Sequence, residues 1–253
     1  MIGGLVVSAL SGRGFAQALK IPYQDTNHLA GHALTARLTH DLSYPYLLLL
    51  VSGGHSQLLI VEGPHTFHLL GRTIDDAVGE AFDKVAKLLN LGFPGGPAVE
   101  QCAMKGNAHR FKFPVPLKNK SGFDFSFSGL KTAVRRALEL LGPPNDQDRA
   151  DLAASFQAAA SASLSQKTHQ ALAHCQQIYH RALPLAVAGG VAANATIRNQ
   201  LRGVADHFGV GIYAAPLDLC GDNGAMIAYA GGEQWQHRHE QIWDFAPQPR
   251  WAL

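Results

Sequence analysis

The sequence predicts an α/β protein with at least one mixed sheet, and three stretches carry that expectation. Tyr46 to Val51 and Ser56 to Val61 are apolar, strand-like runs on either side of Ser-Gly-Gly, the signal of a hairpin. From Asp75 through Leu89, Ala77, Ala81, Val85 and Leu88 recur at helical spacing. Near the C-terminus, Leu185-Ala186-Val187-Ala188 enters Gly189-Gly190, followed by a helical pattern over Ala195 to Phe208 and a strand over Gly211 to Ala214. Strand, glycine turn, helix and strand in that order form a βαβ unit.

The remaining elements follow in chain order. Ser8 to Leu19 reads as a helix ended by Pro22, with a short extended piece over Tyr23 to Thr26. Asn27 is an N-cap type, and His28 to His40 follows as a second helix. Leu69 to Thr73 adds a third strand to the hairpin, and Leu91 to Pro97 reads as a Gly/Pro loop. Phe111 to Ser126 is irregular, basic and aromatic. Ser128 caps a helix running to Leu141, closed by Gly142-Pro143-Pro144. A long Ala- and Gln-rich helix, with Asp146 as its cap, extends to about Arg181. Asp222 opens a last helix through Gly232. There is no internal repeat and no low-complexity linker.

Composition narrows the function classes. The 253 residues hold 21 Lys+Arg against 19 Asp+Glu, a formal charge of +2, which argues against a sequence-wide nucleic-acid binder and leaves room for a local basic stripe. Three cysteines, none in a CxxC pair, exclude a disulfide framework and a thiolate zinc finger and fit a reducing compartment. The most apolar run, Leu47 to Val51, is far short of the roughly 20 residues a spanning helix needs, so no membrane role is expected. Ala16-Gln17-Ala18 imitates a signal-peptidase site, but no basic residue precedes the apolar stretch, which reads as a buried helix of a cytosolic domain. Thirteen histidines invite a search for metal spacing.

Three constellations carry chemistry. In Asn27-His28-Leu29-Ala30-Gly31-His32 the two histidines stand at i and i+4, so both imidazoles can reach one cation. Such spacing also arises by chance, and a third ligand is needed. Asp222, in Cys220-Gly221-Asp222-Asn223-Gly224, is either that carboxylate or the N-cap of the last helix. Two His and one carboxylate suit iron or zinc. Leu29 stands where an HExxH protease carries its general base, which argues against a metalloendopeptidase. The second constellation is a pair of glycine turns after buried strands, Val51-Ser52-Gly53-Gly54-His55-Ser56 and Ala188-Gly189-Gly190-Val191-Ala192-Ala193-Asn194. Their amides can cradle a phosphate, or they are ordinary tight turns; neither is a Walker loop or a GxGxxG. Phe93-Pro94-Gly95-Gly96-Pro97 is equally open. Third, Asp76, Glu80 and Asp83 form an acidic stripe at helical spacing, either a solvated face or acceptors for ribose hydroxyls. Lys112, Lys118, Lys120, Lys131, Arg135 and Arg136, interleaved with Phe111, Phe113, Phe123, Phe125 and Phe127, can serve an RNA backbone and an exposed base, although several of these phenylalanines fit a core.

Taken together and in order, these segments resemble the TsaD (Gcp) family, bacterial or organellar branch. The resemblance rests on His28-x-x-x-His32, Leu50-Val51-Ser52-Gly53-Gly54-His55, Asp75-Asp76-x-x-Gly79-Glu80-Ala81-Phe82-Asp83-Lys84 and Pro94-Gly95-Gly96-Pro97. It also rests on Asp124-Phe125-Ser126-Phe127-Ser128-Gly129-Leu130-Lys131-Thr132, Gly189-Gly190-Val191-x-Ala193-Asn194 and Asp222-Asn223-Gly224. It covers nearly the whole chain, and Ser-Phe-Ser-Gly-Leu-Lys-Thr is the most specific segment.

The resemblance implies an actin/Hsp70-like (ASKHA) two-lobed fold. It implies a remnant of the N-terminal lobe over 1–45 and a C-terminal lobe over 46–218 with a helical insertion around 97–181. Residues 219–253 would form a metal-ligand loop and a terminal helix. It implies a cytoplasmic enzyme, or a mitochondrial-matrix one for an organellar member, that moves the threonylcarbamoyl group of threonylcarbamoyl-adenylate onto the exocyclic amine of adenosine 37 in tRNAs reading ANN codons. By motif, His28, His32 and Asp222 would hold one Fe(2+) or Zn(2+). Leu50, Val51, Ser52, Gly53 and Gly54 would contact the substrate, and Asp83, Gly96 and Asn194 would position its nucleoside. His55, Glu100, Gly189 and Gly190 join this set with less direct support; at Glu100 the family commonly has Asp. Implied partners are tRNA, a TsaB-like paralogue and a TsaE-like ATPase. Met1-Ile2-Gly3-Gly4-Leu5 falls on what is usually an internal segment. The expectation is therefore an N-terminally truncated form, lacking the first strands and their phosphate loop, with reduced stability. The alternative is an inactive nucleotide-binding protein.

Overall fold

The computed structural model describes residues 2–118, 120–237, 246–249, 251 and 253. Met1 and parts of the 219–253 segment lie outside the described residues. Five strands form one mixed sheet: β1 (Tyr46–Val51), β2 (Ser56–Gly63), β3 (Thr66–Arg72), β4 (Leu185–Ala188) and β5 (Ile212–Ala214), in the order β3-β2-β1-β4-β5. The expected hairpin is present, with Tyr46 opposite Val61 and Val51 opposite Ser56. β1 then pairs in parallel with β4, Leu47 opposite Leu185, and β4 in parallel with β5, as the βαβ reading requires.

All six residues of β1 are buried because the central strand is covered on both faces. The period-2 alternation of a strand divides them. Leu47, Leu49 and Val51 enter a large core with α3 (Val78–Leu88), α4 (Gly95–Ala103), α5 (Ser128–Leu141), α6 (Asp146–Tyr179) and α7 (Ala195–His207). Tyr46, Leu48 and Leu50 enter a smaller core with α2 (His28–Thr39) and Ala230 of α9 (Gly224–His237). The Tyr46 hydroxyl donates to the Ala33 carbonyl at 2.8 Å, fixing α2 on this face. A four-residue helix, α8 (Leu217–Cys220), links β5 to the loop before α9.

Several expectations are corrected. α1 spans Ile2–Leu19 and is not a buried helix: its apolar residues surround the helix, so Val7, Leu10, Phe15 and Leu19 are exposed and Ala16 is its buried residue among those described. β3 begins at Thr66, three residues earlier than expected. α3 starts at Val78, not Asp75. The Asp75 carboxylate accepts from the Phe127 and Ser128 amides at 2.8 and 3.3 Å and from the Ser126 hydroxyl at 2.5 Å. It thereby caps α5 across the chain, and Ser128 is the first residue of that helix rather than its cap. Residues 95–97 are helical, not loop, because one oxygen of Asp83 accepts from the Gly95 amide at 2.8 Å and serves the start of α4. α6 is capped by Asn145 in a capping box with Asp148, not by Asp146.

Candidate active site

The site is built where parallel strands β1 and β4 end side by side, the position at which open α/β sheets place ligands. Gly189 (φ +93°) lies so close to β1 that a Cβ would overlap the Val51 carbonyl, so the two glycine turns are in direct backbone contact. A Cβ at Gly79 would stand 2.5 Å from the Ser52 carbonyl oxygen, which brings the start of α3 onto the same turn. The chain of contacts continues outward. Asp83 of α3 holds Gly95 of α4, and Glu100 of α4 accepts from the Ala195 amide of α7 at 2.7 Å. The N-terminal ends of α3, α4 and α7 are thus joined around the two turns, with the Asp83 and Glu100 carboxylates already taking up the first amides of α4 and α7.

Within that rim the sequence-predicted residues fall into two groups. Leu50 and Val51 are fully buried strand residues that lead into the turn. Ser52 is half-buried; its amide donates to the His55 carbonyl at 2.8 Å and its hydroxyl accepts from the His55 amide at 3.1 Å, closing the turn. Gly53, Gly54, Gly96 and Gly190 have nothing within 4 Å of a notional Cβ. Open space lies above them, as a cradle for a ligand requires. Asn194 is buried and committed within the protein: its side-chain oxygen accepts from the Ile197 amide at 3.0 Å and its NH2 donates to Gln157 at 2.8 Å.

On the other face of the sheet, Asn27 caps α2 by accepting from the Leu29 and Ala30 amides, which fixes His28 in the first turn. α2 and α9 approach closely at Gly31, against Met226 and Ile227, and this packing brings the loop before α9 to α2. The Asn223 side chain accepts from the Met226 amide at 2.9 Å. Asn223 therefore does the capping that one reading gave to Asp222, and sequence reasoning missed it because both neighbours are good caps. The Asp222 carboxylate turns instead to the histidines. Its Oδ1 is 3.3 Å from His28 Nε2 and 3.0 Å from His32 Nε2, and the ligand atoms of all three residues lie within 4.8 Å of one another.

A cation about 2.0–2.2 Å from each donor leaves neighbouring donors roughly 3–3.5 Å apart, and both His–Asp222 separations lie in that range; two imidazoles and a carboxylate are a donor set of the kind iron or zinc takes. His32 is almost fully buried, and burial, then the neighbouring His28, hold its pKa below the ordinary imidazole value against the pull of Asp222. His55 is lowered chiefly by burial and then by His28, with Asp222 opposing, so the turn after β1 lies within the electrostatic reach of the triad.

The acidic stripe does not act as one face. Asp76 and Glu80 hold Lys84 Nζ at 2.8 and 2.7 Å, whereas Asp83 turns to Gly95. Lys112, Lys118, Lys120, Arg135 and Arg136 are exposed, but Phe125 and Phe127 are core and Phe111, Phe113 and Phe123 pack against it. The basic region therefore offers exposed charge beside three partly buried rings.

The chain matches the TsaD family, tRNA N6-adenosine threonylcarbamoyltransferase, over residues 1–229. Proteins of that name from Brucella anthropi, Bartonella henselae and Rhizobium meliloti are 51%, 50% and 52% identical across 100% of this chain, which spans 71% of the length of each. Among solved structures, T. kodakarensis HypF superposes with a TM-score of 0.65 at 18% identity over 89% of this chain and 38% of its own. A full-length HypF in phosphate- and nucleotide-bound form gives 0.64 at 11% identity over 89% of this chain and 45% of its own. Those likenesses are of fold, and the α/β fold is of the actin/Hsp70-like class expected. On the sequence match along its length, this chain belongs to the TsaD family of tRNA N6-adenosine threonylcarbamoyltransferases.

Proposed function

We propose that this chain transfers the threonylcarbamoyl group of threonylcarbamoyl-adenylate to the exocyclic amine of adenosine 37 in tRNAs reading ANN codons. The observation that carries the reading is the sequence match to tRNA N6-adenosine threonylcarbamoyltransferases along the chain, and the close approach of His28, His32 and Asp222 supports it. A reactive acyl end and a nucleotide end of one substrate can be held together there. In the transfer, the amine nitrogen bonds to the carbamoyl carbon, the bond from that carbon to the phosphate oxygen breaks, adenylate leaves with the electron pair, and one amine proton is released.

The chain's own residues supply binding and orientation. Amides of the Ser52-Gly53-Gly54 turn and of the Gly189-Gly190 turn approach the phosphate and the carbamoyl end. Asp83, Gly96 and Asn194 position the nucleoside, Asn194 chiefly by fixing the start of α7 beneath it. Glu100 reaches the site through the Ala195 amide. His28, His32 and Asp222 would hold Fe(2+) or Zn(2+), and the bound cation would supply Lewis-acid polarisation of the threonylcarbamoyl carbonyl. Burial keeps His32 in the neutral form that ligation needs. The exposed Lys112, Lys118, Lys120, Arg135 and Arg136 would meet tRNA phosphates. A TsaB-like paralogue and a TsaE-like ATPase would complete a cytoplasmic system; among the described residues no helix is long and apolar enough to cross a membrane.

The test is reconstitution with tRNA, threonylcarbamoyl-adenylate, metal and the two partner proteins, followed by nucleoside analysis. Modified adenosine is expected from the unaltered chain, and at least a hundredfold less from His32→Ala. Binding of the adenylate by a folded, metal-loaded chain with no modified adenosine would overturn the transferase reading in favour of a nucleotide-binding protein.

A further inference from the structure

Arg198 is half-buried in the first turn of α7 and has no part in the chemistry above, yet its guanidinium joins two separate pieces of the site. Its Nε donates to the carbonyl of Ala192, in the 3-10 turn Gly190–Ala193 that follows the second glycine pair. Its Nη2 donates to the Ala215 carbonyl at 3.2 Å, at the exit of β5, and to Cys220 Sγ at 3.4 Å. The buried Cys220 thiol in turn donates to the same Ala215 carbonyl at 3.3 Å. Cys220 stands two residues before Asp222, and Asn223 ties the same loop back to the Leu219 and Gly221 carbonyls at 3.3 and 2.9 Å. One planar, rigid group therefore touches the proposed nucleotide cradle and both ends of the segment that delivers Asp222.

We infer that Arg198 is a positioning residue that couples the nucleotide cradle to the Asp222 loop, so that a nucleotide bound at one strengthens metal binding at the other. The argument is mechanical. Amides of the Gly189-Gly190 turn that bind a phosphate hold that turn still, and the Ala192 carbonyl with it. The guanidinium, whose donors sit in a fixed fork, then has one orientation in which it also meets Ala215 and Cys220. Ordering the first segment thereby removes freedom from the second before a metal binds, and the second ligand has less ordering to bring about. Linkage requires the reverse effect by the same factor. A lysine can reach one of the two segments with its single ammonium, but cannot present the fork to both.

The inference rests on the proposed roles of Asp222 and the glycine turns, and the experiment separates failure of the two. Metal-free full chain is titrated calorimetrically with Zn2+ alone, with AMP alone, and with each in the presence of saturating amounts of the other. In the unaltered chain AMP should tighten Zn2+ binding by about fivefold, the low end of ordinary coupling, and Zn2+ should tighten AMP equally. Arg198→Lys, checked for an unchanged melting profile, should still bind both ligands but bring the factor to within twofold of one. Cys220→Ala, which removes only the sulfur end of the bridge, should lower the factor by less; it carries the test if Arg198→Lys does not fold. Independent binding in the unaltered chain, or an undiminished factor in both variants, overturns the coupling while leaving the site assignment standing. Zn2+ binding that His32→Ala does not weaken overturns the site assignment and the coupling with it.

Discussion

On one face of the sheet, five helices cover Leu47, Leu49 and Val51 and bring three helix N-termini to the ends of the strands; on the other, α2 and α9 cover Tyr46, Leu48 and Leu50 and bring the two histidines and Asp222. The first face is over-determined. Gly79, Gly95 and Gly189 each lie against a neighbouring backbone, and Asp75, Asp83, Glu100 and Asn194 each serve a helix start. The second face is held by less. Asp222 is 74% exposed at its side chain and meets the protein through two imidazoles that approach one carboxylate oxygen. Packing alone therefore fixes the cradle, whereas the triad, if it holds a cation as proposed, would gain its geometry fully only with that ion bound. The two faces should then fail differently when perturbed.

The largest effect is expected on the cradle side. Gly189→Ala puts a methyl into the Val51 carbonyl at a backbone conformation (φ +93°) that an L side chain rarely adopts, so overpacking and strain add. Roughly 3 kcal/mol of destabilisation follows, or about 6–12 °C in Tm for a chain of this size. Calorimetry should find the same loss with and without Zn2+, because the defect is in packing. A loss confined to the metal-loaded chain would mean that the cradle face is no more rigid than the other.

A pH titration addresses the triad side, with a smaller effect. Folding lowers the His32 pKa below its unfolded value of about 6.5, so the unfolded chain binds more protons in the interval between the two. The contribution of His32 to stability is complete above about pH 6.5 and is lost as pH falls through the lower, folded value. Zn2+ affinity has the same sign, since ligation needs a neutral imidazole: as far as His32 sets it, the affinity stays nearly level as pH falls through about 6.5 and drops only at the lower, folded value. Zn2+ titrations at stepped pH check this, and an affinity that rises on acidification would remove His32 from the ligand set.

This division also explains what could be read in advance. Tyr46–Val51, Leu185–Ala188 and the stretch from Ser56 to Val61 of β2 were legible because burial writes apolar runs between glycine turns, and His28 and His32 were legible as a pair because i, i+4 spacing is local. The cross-chain caps were not. Gly95-Gly96-Pro97 has the composition of a loop, and only Asp83, twelve residues earlier, makes it a helix start. Asp75 looks like the opening of its own helix and instead serves Phe127 and Ser128, more than fifty residues on. Asp222 and Asn223 are both cap types, and the choice between them is made by α2, nearly two hundred residues away, whose histidines face the carboxylate. Local preference names the candidates, and tertiary contact assigns the roles.

The smallest effect on stability should come from the glycines that the protein itself does not need. Gly53 and Gly54 have open space where a Cβ would stand and no positive φ, in contrast with Gly189 a few ångströms away on the same rim. Gly53→Ala and Gly54→Ala should therefore change stability by less than about 0.5 kcal/mol, as surface substitutions do. If that space is the cradle, the same methyl groups stand where the phosphate or the carbamoyl group must meet backbone amides, and AMP affinity should fall by at least tenfold in one or both variants. The opposed outcomes at neighbouring glycines are the sharpest form of the comparison. Gly189→Ala loses the fold's stability, whereas Gly53→Ala keeps it and loses the ligand. Unchanged AMP binding in both Gly53→Ala and Gly54→Ala, with the melting temperature also unchanged, would show that this turn serves the chain alone and that the nucleotide is held elsewhere on the rim.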